Sequence, residues 1–226
     1  MLKIMDIHAH TFYSNCGADS HEAIIEAAIA GGIDIFGISD HNYGIGDRLP
    51  QYAADIARMR VKYEGQIQLL TGIEIASVPG LGFDSPELLK DFDYCLLEHI
   101  DLEGSTVGMN VFSYRQGFPC KFGIAHTDLI GMARRQGEDP AAFLRRFAEN
   151  DIFWEMNVNL DSIHAFREHA YWLRFMDSTE EQAIVKASGI RLSVGFDGHR
   201  VYDYKPQRVA AMNHFLYDNG FPMVEF

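Results

Sequence analysis

Cysteine is scarce in this 226-residue chain: Cys16, Cys95 and Cys120 are too few, and odd in number, for a disulfide framework. Reduced thiols are expected. Basic side chains are also in the minority, 19 Lys and Arg against 32 Asp and Glu for a net charge of -13, which argues against a broad surface for a nucleic-acid backbone. A phosphorylated substrate would be repelled as well, unless bound cations supply local positive charge. No apolar run reaches the ~20 residues of a membrane span, and Met1-Leu2-Lys3-Ile4 lacks the apolar stretch of a secretory signal. A cytoplasmic protein is expected. Low-complexity tracts, charge blocks and linkers are missing too, and 47% hydrophobic content suits a single domain over 1–226.

What is present is an alternation of short β-type runs with helical segments, which predicts a parallel sheet with crossover helices. Seven strands are expected: Lys3 to Ile7, Asp34 to Ser39, Ile67 to Ile75, Tyr94 to Leu97, Phe122 to Ala125, Phe153 to Val158, and Arg191 to Val194. Helices are expected from Glu22 to Ala30 after Ser20, from Gln51 to Tyr63, and at Ser85-Pro86-Glu87. Three more should follow Asp139-Pro140, the capping box Ser178-Thr179-Glu180-Glu181, and Pro206. The stretch from Glu103 to Pro119 yields no assignment.

Each expected strand is apolar until its C-terminal end, where a polar or metal-binding side chain appears. His8 and His10 follow the first strand, His41 the second, Glu74 closes the third, and His99 follows the fourth. His126 follows the fifth, Asn157 lies in the sixth, and Asp197 and His199 follow the seventh. In a parallel α/β barrel all strand C-termini open on one face, so residues scattered along the chain converge there. Any one histidine alone reads more simply as a surface or satisfied core residue; seven strand ends together do not. Glu74, flanked by Ile73 and Ile75, needs a partner or a metal because a buried unpaired charge is costly. His21, His164, His169 and His214 fall in expected helices or helix starts and read as surface or structural residues, with the mouth of the site as the alternative for His164 or His169.

These residues, in this order, resemble the PHP family, named for polymerase and histidinol phosphatase domains. The resemblance rests on His8-Ala9-His10, Ser39-Asp40-His41, Gly72-Ile73-Glu74, His99, Ala125-His126, Asp197 with His199, and the segment Glu155-Met156-Asn157. It implies a distorted (β/α)7 barrel with a metal cluster at the C-terminal ends of the strands. Two to three divalent transition-metal ions, zinc, manganese or iron, would be bound. The first would be held by His8, His10, Glu74 and Asp197, the second by Glu74, His99 and His126, and the third by His41 and His199. Imidazole-rich sites with few carboxylates suit such metals better than calcium or magnesium. The family usually places an Asp or His five or six residues after the second histidine, where this chain has Asn15 and Cys16, with Asp19 farther on. Cys16 is the candidate third-site ligand, and Asn15 and Asp19 are the alternatives.

A cluster of this charge would suit a phosphate ester, and a water between two ions would be deprotonated near neutral pH for attack on phosphorus. Glu74, Asp197 and His199 are the expected catalytic residues; Arg200, Arg134, Arg135 and Asn157 are candidate contacts to the substrate phosphate. A small phosphomonoester is the expected substrate. Two rival readings are an amidohydrolase-type hydrolase and a non-catalytic metal-binding PHP domain. The first normally carries a carbamylated lysine on its fourth strand, and Tyr94 to Leu97 holds none.

Overall fold

The computed structural model describes residues 2–226. Strand β1 (Met5–Asp6) leads to helix α1 (His21–Ala30), and β2 (Ile35–Ile38) to α2 (Asn42–Ile45) and α3 (Leu49–Lys62). Strands β3 (Gln68–Thr71), β4 (Glu74–Ala76) and β5 (Tyr94–Glu98) precede α4 (Val111–Arg115), then β6 (Lys121–Ile124), α5 (Leu129–Gln136) and α6 (Pro140–Glu149). The chain ends with β7 (Ile152–Asn157), α7 (Ala170–Asp177), α8 (Thr179–Ser188), β8 (Leu192–Gly195) and α9 (Pro206–Asp218). No helix among the described residues is long and apolar enough to cross a membrane.

All pairings are parallel, in the orders β1-β2-β3 and β4-β5-β6-β7-β8. Backbone hydrogen bonds join the two groups into one ring. On one side, Ile7 N–H donates to Val194 O at 3.0 Å, Asp197 N–H to His8 O at 2.7 Å, and His10 N–H to Gly198 O at 2.8 Å. On the other, Gly72 N–H donates to Ile38 O at 2.8 Å and Glu74 N–H to Asp40 O at 3.0 Å. The result is a seven-position barrel in which β3 and β4 share one position.

The expected continuous strand from Ile67 to Ile75 is therefore interrupted at Gly72-Ile73, beside a side chain that arrives from β5. The Tyr94 ring crosses the barrel interior and donates its hydroxyl to Ile7 O at 2.6 Å. A Cβ on Gly72 would lie 2.2 Å from that ring, and one on Gly37 would lie 2.2 Å from its hydroxyl oxygen. With Tyr94, the residues Met5, Ile7, Ile35, Leu70, Leu96 and Phe153 form the apolar floor inside the ring. A larger apolar layer fills the space between ring and helices. The polar strand ends sit above this floor, on a packed support.

Helix starts follow the chemistry expected of them. Ser20, Asp139 and Ser178 accept hydrogen bonds from Ala23, Ala142 and Glu181 N–H groups at 3.3, 2.8 and 3.2 Å. Only half of the capping box forms, because the Glu181 carboxylate is engaged by Arg134 and Arg174, each at 2.6 Å. Ser85-Pro86-Glu87 opens a single 3-10 turn, Pro86–Leu89. The unassigned Glu103–Pro119 stretch contains α4. Helix α7 had no start signal to read, since His169 precedes it without a side-chain cap bond.

Candidate metal centre

The strand ends turn inward through backbone that side chains rarely adopt. His99, His126 and Asp197 have φ of 65°, 22° and 58°, a conformation costing on the order of 1–3 kcal/mol per residue that persists only where surroundings enforce it. Alternation along the β1 extension points His8 and His10 the same way. Their Nε2 atoms lie 3.1 Å apart. His8 Nε2 is 3.3 Å from Glu74 Oε1 and 3.5 Å from Asp197 Oδ1; His10 Nε2 is 3.4 Å from Glu74 Oε2 and 3.0 Å from Asp197 Oδ1. Three strand ends, after β1, at β4 and after β8, thus deliver four side chains to one point. Glu74 Oε1 also meets His126 Nε2 at 3.0 Å, grouping His8, Glu74 and His126. A further set of donors, from His10, Cys16, His41 and His199, lies within 4.8 Å of one another.

The outer nitrogens of these rings are tied down. His8 Nδ1 donates to Glu155 Oε1 at 2.7 Å, and His199 Nδ1 to Asp161 Oδ2 at 3.1 Å. His10 Nδ1 donates to Ser14 Oγ at 3.2 Å, whose own proton goes to Asp40 Oδ1 at 2.6 Å. Anchoring one ring nitrogen so that the other faces inward is the arrangement by which proteins fix metal-ligating histidines. His41 Nδ1 and Glu74 Oε2 lie 2.9 Å apart but misaligned, so both buried atoms lack hydrogen-bond partners. Orphaned buried donors and acceptors are costly, and a shared cation would satisfy both. The residues fit divalent metal ions.

Electrostatics agree with that fit. Burial raises the pKa of a carboxylate, but the surrounding imidazoles, His8 foremost, hold Glu74 and Asp197 well below the usual range. Burial and the neighbouring His199 keep the His10 pKa down at about 3, leaving its ring neutral. For His41, His126 and His199 burial also works downward, yet Glu74 lifts His41 to about 11 and His126 to about 9. Asp161 and Asp197 lift His199 to about 10. Burial pushes the Cys16 thiol up, but His199 and His41 beside it bring it down to about 7.

A cavity of about 320 Å³ opens over the cluster and is walled by Tyr43, Glu98, His99, Ile163, His164 and His169 as well as expected ligands. Among the described residues, no lysine or arginine lines it. A larger groove of about 620 Å³, between Gly46–Pro50 and Gly82–Leu88, is lined by neither histidine nor cysteine among the described residues.

Several expected site residues stand elsewhere. Arg134 pairs with Glu180 and Glu181, and Arg135 with Asp101. Arg200 lines a small apolar pocket with Ile24, Phe36 and Tyr204. None reaches the cavity, because carboxylates or apolar packing of neighbouring elements claim them first. Asn157 lies buried beneath the cluster, its Nδ2 3.3 Å from Glu155 and 3.4 Å from Asp197. His99 swings to the rim, 39% exposed, where its Nε2 meets Glu98 Oε2 at 2.8 Å. Glu98, rather than His99, groups with Glu74 and His41. Asn15 is exposed, and the Asp19 carboxylate accepts the Val201 N–H at 2.8 Å, so of the three loop candidates only Cys16 faces the cluster.

His164 and His169 take the alternative place at the mouth of the site. Both line the cavity: His164 Nδ1 donates to Asp161 Oδ1 at 2.8 Å with Nε2 3.6 Å from Asp197, and His169 stacks on His126 at 5.6 Å. Sequence reasoning missed Glu98 and Asp161 altogether, and the anchoring role of Glu155. Glu155 was legible by the logic applied to Glu74, a carboxylate inside an apolar strand; Asp161, in a loop, gave no such signal.

No curated sequence matches the chain. Among solved structures, it is similar to a histidinol phosphate phosphatase from Lactococcus lactis subsp. lactis Il1403, solved with zinc, L-histidinol and phosphate. The TM-score is 0.65 at 16% identity, covering 99% of this chain and 96% of that one, a likeness of fold. Looser similarity extends to a chain of archaeal ribonuclease P with mature tRNA (TM-score 0.48, 10% identity, 97% and 98% covered). A triazine hydrolase variant follows (TM-score 0.43, 16% identity, 85% and 45% covered). The family model for the PHP domain matches residues 6–221, from β1 to beyond the end of α9, and the chain belongs to the PHP family.

Proposed function

We propose that this PHP-family chain is a metal-dependent phosphoesterase acting on small phosphomonoesters with two to three zinc, manganese or iron ions. The observation that carries the reading is the meeting of His8, His10, Glu74 and Asp197 donor atoms at 3.0 to 3.5 Å, with the His8 and His10 outer nitrogens anchored. His8, His10, Glu74 and Asp197 would hold one ion. Glu74 and His126, with Glu98 or His99 beside them, would hold a second, and His10, Cys16, His41 and His199 a third. Bound ions would lower the pKa of water and offset charge on phosphoryl oxygens.

The chain's own contribution is support and shape. Glu155 and Asp161 fix the rings of His8 and His199, and Asn157 braces Glu155 and Asp197 from below. Since no lysine or arginine among the described residues lines the cavity, the charge of a phosphate would be met by the ions and by ring N–H groups such as those of His164 and His169. A volume of about 320 Å³ is at the small-ligand end of the usual range, which favours a monoester over a polymeric diester. The three free cysteines suit the reducing cytoplasm.

The test is a panel of phosphomonoesters, phosphodiesters and amides offered to protein reconstituted with zinc or manganese. Phosphate release from monoesters supports the reading. Cleavage of amides alone would favour the amidohydrolase-type alternative, and inertness toward the whole panel the non-catalytic one.

A further inference from the structure

The loop between β1 and α1 is built to present one thiol. At its near end the Asp40 carboxylate accepts four hydrogen bonds: Thr11 N–H and Oγ1–H, both at 2.7 Å, Ser14 N–H at 3.0 Å and Ser14 Oγ–H at 2.6 Å. At its far end Ala18 N–H donates to His199 O at 3.2 Å, and Asp19 accepts from Val201 N–H at 2.8 Å. The loop is thus laced both to Asp40, adjacent to His41, and to His199 itself. Gly17, directly after Cys16, lets the loop close, since a Cβ there would stand 2.1 Å from Thr11 O. Cys16 lies between the two anchorages, and its sulfur joins His10, His41 and His199 within 4.8 Å.

Chemically this corner differs from the rest of the cluster. The other groupings of donors, around His8, Glu74, Asp197, His126 and Glu98, offer only imidazole nitrogens and carboxylate oxygens. Here a sulfur stands among three imidazoles. Thiolate is a soft donor that favours zinc and similar thiophilic ions, whereas oxygen donors accept manganese and magnesium readily. One cysteine with three histidines is also within the tetrahedral sulfur and nitrogen chemistry that binds zinc.

We infer that Cys16 makes this corner selective for a thiophilic divalent ion and is the residue that fixes the metal choice there. The inference rests on the metal-cluster reading above and adds to it an unequal cluster, with one soft site beside harder ones.

The test uses the whole chain stripped of metal and reloaded with cobalt(II), then with zinc and manganese in competition. Cobalt-loaded wild type should show a sulfur-to-cobalt absorption band in the near ultraviolet, retained in Cys95→Ser and Cys120→Ser but lost in Cys16→Ser and Cys16→Asp. Cys16→Asp, which keeps a hard donor in place, should lower the zinc-over-manganese preference of one site by about tenfold or more, the scale on which altered metal surroundings act. Should that variant fail to fold, Cys16→Ser gives the same comparison. Two or more bound ions with no Cys16-dependent band, or an unchanged preference in the folded variants, overturns the inference and leaves the cluster standing. Fewer than two bound ions overturns the cluster itself, and the inference with it.

Discussion

Glu155 accepts a hydrogen bond from His8 Nδ1 at 2.7 Å through one carboxylate oxygen and from the His126 backbone N–H at 2.9 Å through the other. One buried side chain on β7 thereby orients an expected ligand of β1 and fixes the turn that presents another after β6. Glu155→Gln keeps the shape but places an amide where both partners need acceptors. Hydrolysis or metal affinity should fall about 10- to 100-fold, as when a ligand's hydrogen-bond partner is lost. Elemental analysis and steady-state rates check this, and wild-type values for both would remove Glu155 from the supporting role.

Gly195, at the end of β8, guards the same contact. A Cβ there would lie 2.0 Å from Glu155 Oε1 and 2.6 Å from His8 Cβ. Gly195→Ala should therefore separate His8 from Glu155 and destabilise the fold by about 1–3 kcal/mol, the usual cost of overpacking. Thermal unfolding together with metal content is the measurement. A variant as stable as wild type and fully loaded with metal would show that the strand end yields more easily than its neighbours suggest.

Ion binding should release protons. Neighbouring carboxylates hold His41, His126 and His199 at about 11, 9 and 10, so these rings are cationic at pH 7 and must lose a proton to bind a metal. His8, held well above the usual imidazole range by Glu155 and Glu74 in spite of burial, is cationic too. Filling the cluster at pH 7 is therefore expected to release about four protons per chain, with a fraction more from the Cys16 thiol at about 7. Calorimetric titration with zinc in buffers of different ionisation enthalpy counts them. Proton-neutral binding would show that the ion enters elsewhere.

Arg134 serves as a control outside the cavity. Its guanidinium bridges Glu180 and the buried Glu181, linking α5 to α8. Arg134→Ala should leave the catalytic rate within a few-fold of wild type while lowering the melting temperature. A large rise in KM with unchanged stability would restore it as a phosphate contact.

The strand ends were legible in the sequence because apolar runs close on polar residues at each one, and Glu74 stands out as a charge between two isoleucines. The helix caps at Ser20, Asp139 and Ser178 were legible for the same local reason. What escaped was set at long range. The break between β3 and β4 falls where Gly72 packs against the Tyr94 ring arriving from β5, while the run Ile67 to Ile75 looks continuous. Arg134 and Arg135 were drawn away by carboxylates on other elements. His164 was brought to the cavity by Asp161 and by a turn with positive φ at Ala165 and Phe166, none of which periodicity encodes.

The most direct measurement follows phosphate release from a small phosphomonoester by chelator-treated protein, before and after zinc or manganese is restored, for wild type and Asp197→Asn. Metal-free protein should be inactive and reloaded wild type active. The folded Asp197→Asn variant should be slower by more than ~100-fold, beyond the loss expected when only a ligand's outer hydrogen-bond partner fails. Phosphate release that survives chelation, or that is indifferent to Asp197→Asn, would contradict a metal-dependent phosphoesterase built on His8, His10, Glu74 and Asp197.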